Sequence, residues 1–254
     1  MDAPAPCPQA CAQRVGEEPP KPDTCAVIVA GGSGERFGDP RGKQFVELCG
    51  LPLMCWSIMA FDHAPSVARI VVVCAPERVA EVERDVLSRL TLSKPLALAP
   101  SGETRQDSVR SGLAAMPRDL EFVAVHDAAR PLVEVDQIER AIAEVRSDRT
   151  LAGAILAMRS IDTLKLVEGT TIVATPDRSF YWAAQTPQVF RATRLISAHK
   201  SAARDGYQGT DDASLVERLG GRIRVVESTR DNIKITLPED LAIAEATLER
   251  RLIG

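Results

Sequence analysis

Short runs of apolar, β-prone residues recur along this chain, and segments with helical spacing separate them. Four such runs are CAVIVA (25–30), RIVVVC (69–74), EFVAVH (121–126) and AGAILAM (152–158). Each is apolar along its whole length, as expected of a strand that is covered on both faces. Because strand and helix alternate at least four times, we expect an α/β fold with a mostly parallel sheet and helices on both faces.

The remaining pattern predicts one domain over residues 25–254. Further strands are expected at 95–99 and 223–226, and helices at 51–63, 76–90, 104–116, 134–148 and from about Pro238 onward. Residues 1–24 contain six prolines and no hydrophobic period, so they are expected to form a disordered extension.

The stretch at 162–174 differs from the rest of the chain. It contains two short β-prone runs on either side of Gly169, which predicts a hairpin that leaves the main sheet. Such an arm pairs with another subunit in some proteins and is a simple surface hairpin in others. The sequence leaves both possibilities open.

Composition narrows the function classes. The net charge is −4, so a general electrostatic footprint for nucleic acid is not expected. No apolar run reaches the length of about 18 residues that a membrane span requires. The six cysteines form no CxxC pair, so zinc spacing is absent and the thiols are expected to act as small hydrophobic residues in a reducing compartment. Without a signal-peptide pattern at the start, the cytoplasm is the expected location.

The segment VAGGSGERFG (29–38) follows the first strand directly. Glycines let the backbone come close to a ligand, and successive N–H groups can bind phosphates at the carboxyl end of a strand. The segment matches neither the dinucleotide fingerprint nor the P-loop. Arg36 and Lys43 strengthen the phosphate hypothesis because two cations a short loop apart can face one polyphosphate, although solvated surface cations are the alternative.

A second segment, VHDAARP (125–131), ends another apolar strand. Asp127 is a candidate ligand for Mg²⁺, which typically takes one or two carboxylates together with ligand phosphates. Its alternative role is that of a turn or helix cap. A single histidine next to a strand is more often structural, so His126 receives no role.

The third segment, SGETRQDSVRSGL (101–113), joins a turn of small residues to a helix. Backbone groups near Gly102 and Glu103 could contact the edge of a base, and Ser108 could donate from the start of the helix. Arg105 lies one turn before Ser108. The alternative for this segment is a capping role, with Ser101 or Thr104 as the residue that caps the helix.

These three segments, in this order and spacing, resemble the cytidylyltransferase family that makes 4-diphosphocytidyl-2-C-methyl-D-erythritol. The resemblance covers residues 25–250 and continues through IDTLK (161–165), TPDRSFYWAAQTPQVF (175–190), GTDDASLVE (209–217) and STRDNIKITLPEDL (228–241). The first loop alone would indicate only a nucleotidyltransferase. HDAARP together with DNIKIT and QTPQ narrows the resemblance to this enzyme and its pentitol-phosphate relatives.

The resemblance implies a Rossmann-like sheet and a protruding β-arm that builds a homodimer. It also implies transfer of CMP from CTP to a sugar-alcohol phosphate, 2-C-methyl-D-erythritol 4-phosphate, with Mg²⁺ or another divalent cation as cofactor. The alternatives are a ribitol 5-phosphate cytidylyltransferase and a non-catalytic CTP-binding module. Glu103 stands where relatives often have Asp, so its action through backbone or side chain stays open.

The resemblance also assigns roles residue by residue. The CTP phosphates are assigned to Ala30, Gly31, Gly32 and Gly34, and the transition state at the α-phosphate to Arg36 and Lys43. Cytosine is assigned to Gly102, Glu103 and Ser108, and the metal and ribose side to Asp127. The incoming sugar phosphate is assigned to Arg178 and Lys234, with Thr163 and Thr210 nearby. Arg105 and Thr186 complete the predicted substrate-binding set.

Overall fold

The computed structural model describes residues 21–32, 37–38 and 41–253. Its strands are β1 (Thr24–Val29), β2 (Glu47–Leu48), β3 (Leu51–Pro52), β4 (Val67–Cys74), β5 (Leu96–Pro100), β6 (Phe122–Asp127), β7 (Leu151–Arg159), β8 (Leu166–Glu168), β9 (Thr171–Ala174), β10 (Trp182–Arg191) and β11 (Arg222–Glu227). Its helices are α1 (Leu53–His63), α2 (Val79–Glu81), α3 (Arg105–Ala115), α4 (Val135–Ser147), α5 (Ala192–Arg204), α6 (Asp212–Arg218) and α7 (Glu239–Ile253).

Seven strands form one sheet in the order β11-β7-β10-β6-β1-β4-β5. β1 is parallel to both of its neighbours, β4 and β6, and β5 and β11 are parallel to the strands beside them. β10 is antiparallel to β6 and to β7. The predicted α/β class with a mostly parallel sheet is therefore confirmed.

Two apolar layers cover the sheet. On one face, side chains of β1 such as Ala26 and Ile28 pack in a cluster with Phe61 of α1 and Ile138 of α4. The opposite face forms a second cluster, in which side chains of α3, α5 and α6 pack on the sheet. Full burial of an aliphatic or aromatic side chain contributes about 1.5–3 kcal/mol, so these layers supply much of the folding free energy. Helices lie on both faces, as predicted.

The prediction of one helix over 76–90 is only partly right. A 3₁₀ turn, the short α2, a π-helical turn at Val82–Val86 and a second 3₁₀ turn replace the regular helix. Val82 and Val86 are nevertheless fully buried. The apolar spacing thus identified the buried side chains but not the backbone hydrogen bonds, because tertiary packing overrides local propensity.

The predicted hairpin is present as β8 and β9, which pair with each other in a separate two-stranded sheet. Every residue of these two strands is exposed, including Leu166 at 60% and Ile172 at 58%. Gly169 in the turn has a φ of +59°, a left-handed conformation that favours glycine. We call β8 and β9, with the turn between them, the arm.

Near the N-terminus, the first strand begins one residue before the predicted start of the domain at residue 25. Thr24 opens β1, and the N–H groups of Asp23 and Thr24 both donate to the carbonyl of Ser66. The Asp23 carboxylate accepts from Arg146 of α4 at 2.7 Å. The part of the predicted extension over residues 1–20 lies outside the described residues.

Candidate active site

The candidate site lies where the strand order reverses. From β1 the chain passes to β4 and β5 on one side of the sheet, and it then returns to β6 on the other side of β1. In open α/β sheets, ligands bind at the carboxyl ends of the strands that flank such a point. Gly31 and Gly32 follow the carboxyl end of β1, and Asp127 is the last residue of β6.

Close backbone packing brings the first and third predicted segments together. A Cβ atom on Gly31 would lie 2.3 Å from the Cβ of Ser101, and one on Gly102 would lie 2.3 Å from the Cβ of Asp107. Only glycine fits at these two positions without movement of the neighbouring backbone. The loop after β1 therefore lies directly against the loop that leads into α3.

A cavity of about 410 Å³ opens between these loops and the end of β6. This volume falls within the usual range of about 300–1,000 Å³ for small-molecule sites. Ten of the predicted site residues line it: Ala30, Gly31, Gly32, Lys43, Gly102, Glu103, Arg105, Ser108, Asp127 and Lys234. We call this cavity the cleft. The structure thus gathers residues that are up to about 200 positions apart in the sequence.

Two lysines, Lys43 and Lys234, line the cleft. The Nζ of Lys43 donates to the carbonyl of Ile235 at 2.7 Å, and Lys234 precedes Ile235 in the chain. The N–H of Ile235 donates to the carbonyl of Ala129, which anchors this stretch to the loop after β6. Lys43 is therefore bound to the same stretch of backbone that carries Lys234, and both residues line the cleft.

Asp127 is the centre of the charged groups. Its Oδ1 accepts from the Nε of Arg105 at 2.9 Å, and its Oδ2 accepts from the Nζ of Lys234 at 2.6 Å. Burial opposes ionisation of this carboxyl group, but the charges of Arg105 and Lys234 outweigh burial and hold its pKa below the ordinary value. Asp127 is therefore ionised at neutral pH, and its side chain is engaged by cations rather than acting as a cap.

Arg105 continues the network away from the cleft. Its Nη1 donates to the Oδ2 of Asp212 at 2.7 Å, and the Oδ1 of Asp212 lies 3.0 Å from the Nε2 of His199. Burial opposes the charge of Arg105, but the carboxylates of Asp212 and Asp127 raise its pKa above the ordinary value. Asp212 and His199 are both buried, and neither lines the cleft. Arg105 thus bridges two acidic side chains.

Thr186 and His126 support Asp127 from the interior. The N–H of Asp127 donates to the Oγ1 of Thr186 at 3.0 Å, and the Nδ1 of His126 lies 3.1 Å from the same hydroxyl oxygen. Complete burial lowers the pKa of His126 to about 4, so its ring is neutral at pH 7. His126 is structural, and Thr186 reaches the cleft only through the backbone of Asp127.

The start of α3 orders the loop at Gly102. Thr104 is the N-cap and accepts from the N–H of Asp107 at 3.1 Å, so the capping alternative holds for this residue. Ser108 is buried; its Oγ accepts from the N–H of Gly102 and donates to the carbonyl of Thr104. The hydroxyl proton of Ser108 is therefore donated to the backbone of its own segment and not to the cleft.

The sequence model of the family described as IspD, 2-C-methyl-D-erythritol 4-phosphate cytidylyltransferase, matches residues 24–250. The chain belongs to this family. A 2-C-methyl-D-erythritol 4-phosphate cytidylyltransferase of Geobacillus thermodenitrificans is 42% identical over 228 residues, which cover 89% of this chain and 97% of the relative. One of Caldanaerobacter subterraneus is 40% identical over 226 residues, which cover 89% of this chain and 98% of the relative.

Solved structures of IspD proteins share the fold. A 4-diphosphocytidyl-2C-methyl-D-erythritol synthase of Anaerococcus prevotii superposes with a TM-score of 0.79 at 25% identity and covers 89% of this chain and 96% of its own. The 2-C-methyl-D-erythritol 4-phosphate cytidylyltransferase of Francisella tularensis gives a TM-score of 0.72 at 30% identity, with coverage of 88% and 99%. The predicted resemblance is thereby confirmed.

Not every residue that the IspD resemblance assigned lies at the cleft. Arg178 is exposed on a short 3₁₀ turn (Arg178–Phe180) and donates to the carbonyl of Ile161, and Thr163 is exposed between β7 and the arm. Thr210 is exposed just before α6. None of the three lines the cleft. Two further predicted residues, Gly34 and Arg36, lie outside the described residues.

The IspD motifs do not reveal two residues of the charged network, Asp212 and His199. Asp212 stands beside a second aspartate in GTDDASLVE, and no local pattern tells which of the two carboxylates is buried against Arg105. His199 lies on the buried face of α5 together with Leu195 and Ala202, so its spacing indicates a core position. The spacing between His199 and Asp212 along the chain matches no motif that would indicate their contact.

Few carboxylates are available to a metal ion in the part of the chain that the structure describes. There, no three His, Cys, Asp or Glu side chains are grouped to hold a metal ion, and the acidic residues that line the cleft are Asp127 and Glu103. One or two carboxylates fit Mg²⁺ that is bound mainly by ligand phosphates. Within the same residues, the helices are too short or too polar to cross a membrane.

Proposed function

We propose that this chain transfers CMP from CTP to 2-C-methyl-D-erythritol 4-phosphate, which gives 4-diphosphocytidyl-2-C-methyl-D-erythritol and pyrophosphate. The observation that carries the proposal is the cleft: Arg105 and Lys234 bind Asp127 there, and Lys43 lines the same cavity beside two glycine-containing loops. The relatives and the solved structures that bear this name support the choice of substrates.

The reaction joins two polyanions. A phosphate oxygen of the acceptor attacks the α-phosphorus of CTP, a new P–O bond forms, and the bond to the departing pyrophosphate breaks. Because the nucleophile is already an oxyanion, no strong general base is needed. The protein therefore has to position the two phosphates and neutralise their charge, as in other phosphoryl-type transfers.

The CTP side of the cleft uses backbone groups and Lys43. Among the described residues, no atom lies within 4 Å of a Cβ built on Gly32, so this part of the structure leaves room for a phosphate chain beside the backbone. Lys43 and Arg36 are assigned to the charge that develops at the α-phosphate. Backbone groups at Gly102 and Glu103 are assigned to cytosine, and Ser108 contributes by shaping that loop, because its proton is donated to Thr104.

The acceptor side uses Lys234 together with Arg178, Thr163 and Thr210. Since Arg178 and Thr163 lie near the arm and outside the cleft of their own chain, we propose that the arm of a second copy brings them to the site. Exposed apolar side chains at this end, including Leu166, Ile172 and Phe180, favour burial in a homodimer. Each site would then contain residues of both subunits.

Asp127 is the residue proposed to hold Mg²⁺ or another divalent cation. When bound, such an ion neutralises phosphate charge. Asp127 itself keeps Arg105 and Lys234 in place on either side of its carboxylate. We further propose a reducing, cytoplasmic setting, because Cys25, Cys55 and Cys74 are buried free thiols.

A substrate panel tests this function. Pyrophosphate release is measured with each of the four nucleoside triphosphates and with either 2-C-methyl-D-erythritol 4-phosphate or ribitol 5-phosphate as acceptor. We expect turnover only with CTP and the methylerythritol acceptor. Turnover with ribitol phosphate would reassign the acceptor, and CTP binding without pyrophosphate release would indicate a non-catalytic binding module.

A further inference from the structure

Arg105 is fixed by two carboxylates, which bind different nitrogen atoms of its guanidinium group. Its Nε donates to Asp127 at 2.9 Å and its Nη1 donates to Asp212 at 2.7 Å. A guanidinium group is planar, so two such bonds define both its position and its plane. Asp127 lines the cleft, whereas Asp212 lies behind it at the start of α6.

Asp212 has a second partner in the interior. The Nε2 of His199 on α5 lies 3.0 Å from its Oδ1, and the Asp212 and His199 side chains are only 1% and 2% exposed. An ionised carboxylate only accepts hydrogen bonds, so His199 donates from Nε2. Each Asp212 oxygen is thus engaged by one donor, and the carboxylate cannot turn without losing one of them.

Arg105 lines the cleft together with Gly102 and Glu103, the part that is proposed to bind cytosine. We infer that Asp212 and His199 are positioning residues for CTP, because they hold Arg105 in the orientation that it presents to this part of the cleft. This inference rests on the proposed function and deepens it. His199 orients Asp212, Asp212 orients Arg105, and Arg105 together with Lys234 orients the Asp127 carboxylate. The chain of contacts connects the α5 and α6 layer to the cleft.

The residues around Asp212 and His199 indicate that this pair orients Arg105 rather than only stabilising the packing of α5 and α6. Asp212 and His199 lie on helices whose other buried residues are apolar, such as Leu195 and Leu215. Apolar side chains of similar volume stabilise such a layer at least as well as a buried ionic group does. An ionic group there has the additional effect of fixing the direction of a charged side chain.

The test uses the full chain with Asp212→Asn, His199→Leu and His199→Gln. Asn keeps the shape of Asp212 but offers one acceptor oxygen instead of two and has no charge. Leu removes the His199 donor, whereas the amide nitrogen of Gln can replace Nε2. The matched control is Asp62→Asn, because Asp62 is also buried and accepts from the backbone N–H groups of Ser93 and Lys94 away from the cleft.

We expect Asp212→Asn to raise the KM and the Kd for CTP about 10-fold or more, because a misplaced contact group weakens binding. The KM for the sugar phosphate should stay within about twofold, because Lys234 keeps its own bond to Asp127 when Arg105 is displaced. His199→Leu should shift the CTP constants in the same direction, and His199→Gln should restore them. Asp62→Asn should lower the Tm without a change in the KM for CTP. An unchanged KM for CTP in Asp212→Asn and His199→Leu would overturn the inference.

A ligand-free measurement keeps the inference separate from the proposed function. The Nε–H correlation of Arg105 is assigned by its loss in Arg105→Lys and is compared in Asp212→Asn and His199→Leu by ¹⁵N NMR. We expect the signal to shift or broaden in both variants, and an unchanged signal would refute the positioning role. If Asp212→Asn does not fold, the His199→Leu and His199→Gln pair decides. A wild-type chain that releases no pyrophosphate would refute the function alone, since the NMR comparison needs no turnover.

Discussion

Replacement of Asp127 by Asn removes the one negative charge between Arg105 and Lys234. The bond to Arg105 is mostly buried and charge-assisted, which corresponds to about 1.5–3 kcal/mol. Lys234 is 41% exposed, so solvent screening limits its pair to about 1 kcal/mol or less. Since the Asn oxygen retains part of one bond, we expect Asp127→Asn to lose about 2–3 kcal/mol of unfolding free energy.

For a chain of this length, each kcal/mol lowers the Tm by about 2–4 °C, so the expected decrease is about 4–12 °C. The contribution of Asp127 depends on pH in a defined direction. Because the folded state lowers its pKa, the stabilisation is present above the unfolded pKa of about 4 and is lost as the pH falls through the lower folded value. The gap between wild type and variant should therefore persist from pH 7 to about pH 4 and narrow only below it.

Thermal unfolding of both proteins across this pH range gives the stability difference, and pyrophosphate release gives the activity. The matched control is Asp205→Asn. Like Asp127, Asp205 has two cationic partners, here Arg204 and Arg218 at 2.9 Å, but it lies at an exposed site outside the cleft. We expect Asp205→Asn to leave the activity unchanged. It should also lower the Tm by less than Asp127→Asn does. The reasoning is refuted if Asp127→Asn matches the wild type in Tm and in kcat at pH 7.

The remaining predictions concern the cleft and the arm. Lys43→Ala should lower kcat by about 10²–10³-fold in pyrophosphate release, the usual effect of removing a donor aimed at developing charge. Leu166→Asp, which places a charge on the exposed arm, should shift the mass in light scattering from dimer to monomer; a stable dimer would speak against the arm as the interface. Gly31→Ala should lower the Tm because its Cβ meets a neighbouring Cβ at 2.3 Å. Gly32→Ala should leave the Tm unchanged, because its Cβ meets no atom of the described residues within 4 Å.

The sequence predicts the central strands well because their side chains are buried on both faces. Such strands are apolar along their length, and β1, β4, β6 and β7 all lie within two residues of the predicted bounds. The sequence pattern does not predict β10, because the buried residues of this strand include Gln185, Thr186 and Gln188. Those polar groups are satisfied by partners distant in sequence, such as Asn232 and Asp211, so no local pattern marks them as core.

The same limit applies to the candidate site. Gly31, Gly102 and Asp127 could be recognised because each stands at the carboxyl end of a strand in a distinctive motif, and the structure places all three at the cleft. The link from Arg105 to Asp212 joins residues 107 positions apart. This link forms because α3 and α6 pack on the same face of the sheet. No short sequence pattern predicts that packing.

The bond from Lys43 to the carbonyl of Ile235 has a consequence for any attempt to alter specificity. Lys234, assigned to the acceptor, and the carbonyl that anchors Lys43, assigned to the nucleotide, belong to adjacent residues. A main-chain displacement that makes room for a bulkier acceptor therefore also moves the ammonium group of Lys43, which is assigned to the nucleotide. Redesign of the acceptor preference has to proceed through side chains, with this short stretch of backbone left in place.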